Sequence, residues 1–253
     1  MTQLMLLFFV PFLGTMLGSA SVFFLPGGMG EKTEKVVLGF ASGVMIAASV
    51  WSLLLPAIEA SSYYTAAFGF LIGILFLLLL DFVVPHLHPT ATEPEGPKTK
   101  ASKSILLFLS VTLHNIPEGM AVGAGAAVAF MSSNMAPFAS SLALSLGIAL
   151  QNLPEGMVVA LPLTEGGKKK LKAFGLGAAS GIVEPIGAIL AFLFVSSIQS
   201  LLPFFLSFAA GAMFYVVVEE LIPEMSEGEH SNIGTIGAAL GFVAMMVLDG
   251  IFG

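Results

Sequence analysis

Two seven-residue stretches near the middle of the sequence carry the same order of polar groups: His114-Asn115-Ile116-Pro117-Glu118-Gly119-Met120 and Gln151-Asn152-Leu153-Pro154-Glu155-Gly156-Met157. Each sits inside an apolar run long enough to cross a bilayer as a helix, which puts Glu118 and Glu155 near the membrane centre. A carboxylate costs about 3 kcal/mol there on insertion scales, so two at corresponding depths call for a chemical role. Side chains three and four apart share a helix face. His114, Asn115 and Glu118 therefore converge, and Gln151, Asn152 and Glu155 repeat the arrangement. Pro117 and Pro154 each remove a backbone donor and free carbonyls near Leu113 and Leu150 to face a polar cavity. In consecutive antiparallel spans the two half-sites meet at the midplane. Imidazole, amide oxygens and carboxylates together suit a borderline divalent ion such as zinc, iron(II), manganese or cadmium.

The elements that must position these groups are membrane helices. Of 253 residues, 57% are hydrophobic and 10% charged, against about a quarter charged in soluble domains, and the mean hydropathy is +0.97. A water-soluble core is excluded. The runs are continuous rather than alternating, which excludes a transmembrane barrel. At roughly 20 residues per crossing, spans are expected near 4–25, 36–57, 63–85, 104–131, 137–163, 171–196, 203–223 and 233–252 of one all-α polytopic transmembrane domain, residues 1–253. No basic residue precedes Lys32, so the first run reads as a retained span rather than a cleaved leader. The absence of cysteine excludes disulfides, thiolate metal sites and cysteine catalysis. With no arginine and a net charge of −7, no basic face is available for nucleic acid.

All nine lysines fall in odd-numbered loops: Lys32 and Lys35; Lys98, Lys100 and Lys103; Lys168, Lys169, Lys170 and Lys172. The positive-inside rule then places these loops in the cytoplasm and both termini outside. The stretch from about 89 to 103, polar and without an apolar run, reads as a flexible cytoplasmic connector. Small residues recur four apart at Gly14/Gly18, Gly39/Gly43, Gly69/Gly73, Gly119/Gly123, Gly177/Gly181 and Gly237/Gly241. This spacing lets backbones approach closely, either inside one subunit or across a homodimer interface.

Depth orders the remaining polar groups. Glu184, followed by Pro185, adds an acid near the centre of the sixth span. Glu59 and Asp249, near outer ends, are positioned for an entrance, unless they are interfacial carboxylates facing water. Asp81, Glu219 and Glu220 lie in inner halves next to His86 and His88, which reads as an exit, or for the histidines as a solvated loop start. Glu224, Glu227, Glu229 and His230 read as a solvated acidic loop. No lysine or arginine shares the membrane with the intramembrane acids. Internal salt bridges cannot neutralise them, which leaves bound cations or protons. The duplicated motif favours cations over protonated glutamates that merely link helices.

In these features the sequence resembles the ZIP (Zrt/Irt-like) family of divalent-metal transporters, in particular its GufA-like branch. The resemblance rests on the eight spans, the paired N-x-P-E-G motifs, Glu184 and the stretch Glu219-Glu220-Leu221-Ile222-Pro223-Glu224. It implies a 3+2+3 helix bundle, the first three and last three spans related by inverted pseudo-symmetry around the central pair. It also implies a ligand set of Met45, His114, Asn115, Glu118, Gln151, Asn152, Glu155 and Glu184, able in binuclear members to hold two bridged ions. Two departures stand out. Gln151 and Asn152 are neutral where many relatives have histidine or an acid, and Glu219 stands where a histidine is common, making the exit harder and more oxygen-rich. The implied activity is metal uptake toward the cytoplasm across the cell membrane by alternating access. The metal is the transported substrate, and no prosthetic group is expected. A cation channel is the alternative. An intramembrane metalloenzyme is disfavoured by the lack of H-E-x-x-H and of a nucleophile with its base.

Overall fold

The computed structural model describes residues 2–25, 28–87, 94–132, 136–229 and 231–252. Among them are eight helices long and apolar enough to span a bilayer: α1 (Thr2–Phe23), α2 (Glu31–Ala60), α3 (Tyr63–Val83), α4 (Lys103–Met131), α5 (Ala136–Thr164), α6 (Lys170–Ser197), α7 (Gln199–Ser226) and α8 (Ile233–Phe252). The all-α polytopic expectation holds. The described residues contain no strand, only an isolated antiparallel bridge between His86 and Glu95.

Local chemistry sets the helix ends. α2 begins at Glu31 rather than near residue 36, because Gly30 caps it in an extended conformation and Glu31 and Glu34 occupy its first turn, where acids meet the positive end of the helix dipole. Lys35 thus belongs to the helix and is buried, with its Nζ 2.8 Å from Glu31 Oε1. At the start of α3, Ser62 Oγ accepts the Thr65 amide at 3.2 Å. Within the connector, Glu95 exchanges backbone hydrogen bonds of 3.0 and 3.3 Å with His86. His88 and His230 lie outside the described residues.

Besides 3-10 turns at the end of α1 (Ala20–Phe23) and the start of α7 (Gln199–Leu201), three spans depart from regular α geometry in their interiors. α2 and α7 widen into π turns over Ala48–Leu54 and Val217–Leu221, each followed by a short α segment with proline at its start, Pro56 and Pro223. Such turns recur at functional sites because they re-aim side chains and loosen the backbone ladder. α6 breaks across Gly181 and Ile182 into the segments Lys170–Ser180 and Val183–Ser197.

The most extensive helix pairs are α1 with α5, α2 with α8, α3 with α7 and α4 with α6. Exchanging α1–α3 for α6–α8 in order, and α4 for α5, turns α1–α5 into α6–α4 and α2–α8 into α7–α3. Each exchange swaps an odd-numbered for an even-numbered span, which runs the other way through the membrane. This is the inverted 3+2+3 arrangement, and the π turns of α2 and α7 obey it.

Glycine sets the distances within these pairs. Gly14 and Gly18 abut the backbone of Ala149 and Leu153 in α5; Gly39 and Gly43 abut Gly234 and Ala238 in α8. Gly73 meets Phe208 of α7, while Gly119 and Gly123 meet Glu184 and Ala188 of α6. Gly69, Gly177, Gly181, Gly237 and Gly241 likewise contact Ser207, Ser19, Thr15, Val36 and Phe40. All six glycine pairs are engaged inside the chain. The outward face of α8 is apolar, with Ile236, Leu240, Val243, Val247 and Ile251 exposed as a lipid-facing helix requires.

Candidate metal centre

Pro117 and Pro154 lie inside α4 and α5, and the six polar side chains of the two motifs are all buried, Glu155 being the most exposed at 7%. Because α4 and α5 run antiparallel, their motifs form two tiers. His114 is one turn, about 6 Å, nearer than Glu118 to the side where the lysines lie, here called inner. On α5 it is Glu155 that is inner and Gln151 outer. In the outer tier Gln151 Nε2 donates to Glu118 Oε1. In the inner tier Glu155 interacts electrostatically with His114 and Glu220.

The remaining capacity of this cluster is unmet. Glu118 Oε2, both Glu155 oxygens, Gln151 Oε1 and Asn115 Oδ1 are buried with no hydrogen-bond partner among the described residues. Each such acceptor costs on the order of 1–3 kcal/mol, more when charged. The same carboxylates lie close enough to repel, Glu118 facing Glu155 and Glu184. A cation among them answers both penalties, and the oxygen and imidazole donor set fits a divalent transition metal. Asn115 is aimed by the break in α6, which frees the Ser180 carbonyl to accept from Asn115 Nδ2 at 3.1 Å. Met45 is fully buried in the apolar core of the bundle.

Glu184 and Asn152, expected among the ligands, are engaged with other groups. Thr15 Oγ1 donates to Glu184 Oε1 at 2.7 Å, and Asn152 Nδ2 donates to Glu184 Oε2 at 2.8 Å. Asn152 also reaches the Pro11 carbonyl at 3.3 Å. Thr15 was not anticipated, although its spacing of four from Ser19 in the first apolar run was a readable signal; both are fully buried.

The expected exit is continuous with the site rather than separate from it. His114 Nε2 pairs with Glu220 Oε1, and ligating atoms of Asp81, His114 and Glu220 all lie within 4.8 Å of one another. Tyr215 donates to Asp81 Oδ2, and His86 Nε2 stands 3.8 Å from Asp81 Oδ1. Glu219 is exposed while Glu220 turns inward, because neighbours on a helix point about 100° apart. Tyr215 was not anticipated. Since partners that orient ligands typically matter 10–100-fold, Tyr215→Phe is expected to slow metal uptake about tenfold with expression unchanged. Wild-type initial rates in that variant would deny it this orienting role.

On the outer side a cavity of about 670 Å³ is lined by residues including Trp51, Ser52, Gly125, Ser141, Leu144 and Asp249. Ser52 Oγ donates to the two Asp249 oxygens at 2.9 and 3.1 Å. Gly125 and Leu144 are each seven residues from Glu118 and Gln151, so the cavity reaches to about 10 Å, two helical turns, from the outer tier. Glu59 is not part of this wall. It is exposed in the last turn of α2, beyond Pro56. The acidic loop is likewise only partly solvated: Glu224 is buried, and with Glu31, Glu34, Lys35, Glu227 and Glu229 it lines a second cavity of about 480 Å³.

A sequence model of the ZIP Zinc transporter family matches residues 95–249. Zinc transporter ZIP11 of Homo sapiens is 34% identical over 93% of this chain and 93% of its own length. Zinc transporter ZIPB of Bordetella bronchiseptica is 36% identical over 88% of this chain and 72% of its own length. Zinc transporter GufA of Myxococcus xanthus is 36% identical over 87% and 88%. With the paired motif at membrane depth and eight spanning helices, these likenesses place the chain in the ZIP zinc transporter family: it is an integral, multi-pass membrane protein of metal-cation transport and not an enzyme.

Proposed function

We propose that this chain carries a divalent transition metal, zinc foremost, across the cell membrane into the cytoplasm, with the ion held among His114, Glu118, Gln151 and Glu155. The observation that carries this reading is the set of buried oxygens without partners on Glu118, Gln151 and Glu155, beside an imidazole and with no lysine among them. Four ligands of nitrogen and oxygen type are what zinc takes, and the same donors accept cadmium, iron(II) or manganese. Relatives named as zinc transporters support zinc as the first choice.

In this reading the ion enters through the cavity at Asp249, loses water, binds between the tiers, and leaves past Glu220, Asp81 and His86. The site is enclosed on its outer side by about two turns of α4 and α5, which supports a carrier over an open channel. An ion reaches an enclosed site only when helices shift, and inverted repeats supply two equivalent ways to shift them. The test is uptake by protein reconstituted in liposomes across a panel of zinc, cadmium, iron(II) and manganese. Saturable, strongly temperature-dependent flux is expected. Non-saturating flux would make the protein a pore, and no flux with any of the four would end the proposal. Asp249→Asn is expected to raise the half-saturating concentration several-fold with the maximal rate nearly kept, since a charged cavity concentrates cations before they bind; an unchanged half-saturation would move the entrance elsewhere.

A further inference from the structure

Resting on the metal site just proposed, we infer that Thr15 and Asn152 withhold Glu184 from the ion, so that the centre takes a single metal and Glu184 serves as a brace between helices. The structure divides the buried carboxylates into two kinds. Glu118 keeps one oxygen without a partner and Glu155 keeps both. Glu184 keeps neither: its two oxygens accept from Thr15 Oγ1 at 2.7 Å and from Asn152 Nδ2 at 2.8 Å. Hydrogen bonds of this length occupy both oxygens, and here they join α1, α5 and α6 at the point where α6 is broken.

The brace is held from behind as well. Gly181 packs against Thr15 with no room for a side chain, and Gly119 leaves its space to the Glu184 backbone. Asn152 is fixed by a second bond to the Pro11 carbonyl. For a metal to use Glu184, it would have to displace donors that are already seated and leave a buried hydroxyl and a buried amide unmatched, at about 1–3 kcal/mol each. Binding at His114, Glu118, Gln151 and Glu155 displaces the His114–Glu220 pair and the bonds of the Gln151 amide to Glu118 and Asn152, but it satisfies four carboxylate and amide oxygens that have no partner, one on Glu118, one on Gln151 and both on Glu155. Thr15 and Asn152 are thus positioning residues that set the number of ions.

The experiment is equilibrium dialysis of cadmium against the purified full chain, read as ions per chain and affinity. Wild type is expected to bind one ion tightly. Glu184→Gln keeps the brace, because the new amide donates to the Thr15 hydroxyl while its oxygen accepts from Asn152; one ion within about threefold of the wild-type affinity is expected. Asn152→Asp replaces a donor by a second carboxylate 2.8 Å from Glu184, and a second cadmium is expected there. Two ions on the wild type, or a tenfold or greater loss of affinity in Glu184→Gln, would overturn the inference while leaving the transport site standing. So would a folded Asn152→Asp protein that still binds one ion. A wild type that binds no cadmium would overturn the site itself, and this inference with it.

Discussion

Replacing Glu118 or Glu155 with alanine is expected to abolish metal uptake while protein of normal abundance reaches the membrane. Both carboxylates are buried, both retain oxygens with no partner, and both face other acids. Removing either takes a charged ligand from an enclosed site that water cannot readily repair. Partners one step removed from a metal cost 10–100-fold, so loss of a ligand should exceed about 100-fold in initial rate. Folding should survive, because deleting one member of a group of like charges relieves repulsion. Glu118→Ala also leaves Gln151 Nε2 without its acceptor, a smaller penalty of roughly 1–3 kcal/mol. The check is uptake normalised to surface-labelled protein; undiminished rates in both variants would remove the metal site from these motifs.

The largest effect on stability is expected where helix backbones touch. A Cβ added to Gly43 would meet the Ala238 carbonyl and lie 2.7 Å from the Phe242 amide nitrogen, both in the backbone of α8. Backbone cannot turn aside as a side chain can, so Gly43→Val must force α2 and α8 apart along the most extensive pairing in the molecule. Overpacking a well-packed core of side chains costs about 1–3 kcal/mol; against rigid backbone the cost should be at the upper end or beyond. Loss of monodisperse protein after detergent extraction is the expected result. Gly30→Ala, where an added Cβ has nothing within 4 Å, supplies the contrast. If Gly43→Val extracted and melted like wild type, close approach of these helices would not be what holds the bundle.

Much of the site was legible in the sequence. The repeated motif identified His114, Asn115, Glu118, Gln151, Asn152 and Glu155, and all six are buried, the amides of Asn115 and Asn152 donating to α6. Helical spacing is a local property, so a side chain's face follows from its neighbours three and four residues away. What could not be read was which acid each group would meet. Asp81 and Glu220 appeared as an exit set apart from His114, yet they surround it. Nor could the spacing show that Glu184 would accept a hydrogen bond from Thr15, 169 residues away in the chain.

Hydropathy and the continuity of the apolar runs together determined that this chain is a bundle of membrane helices, because hydrocarbon admits only helices and closed barrels to satisfy the polar backbone groups and the runs do not alternate as a barrel requires; the motif spacing determined that buried carboxylates would face a common centre. The tertiary structure decided the pairing of those carboxylates. Rotating a helix by one residue turns a side chain by about 100°, and those rotations are set by glycine contacts between distant spans, by the π turns of α2 and α7 and by the break in α6. These settings turn Glu220 inward and Glu219 outward, and they give Glu184 two donors while leaving Glu155 none.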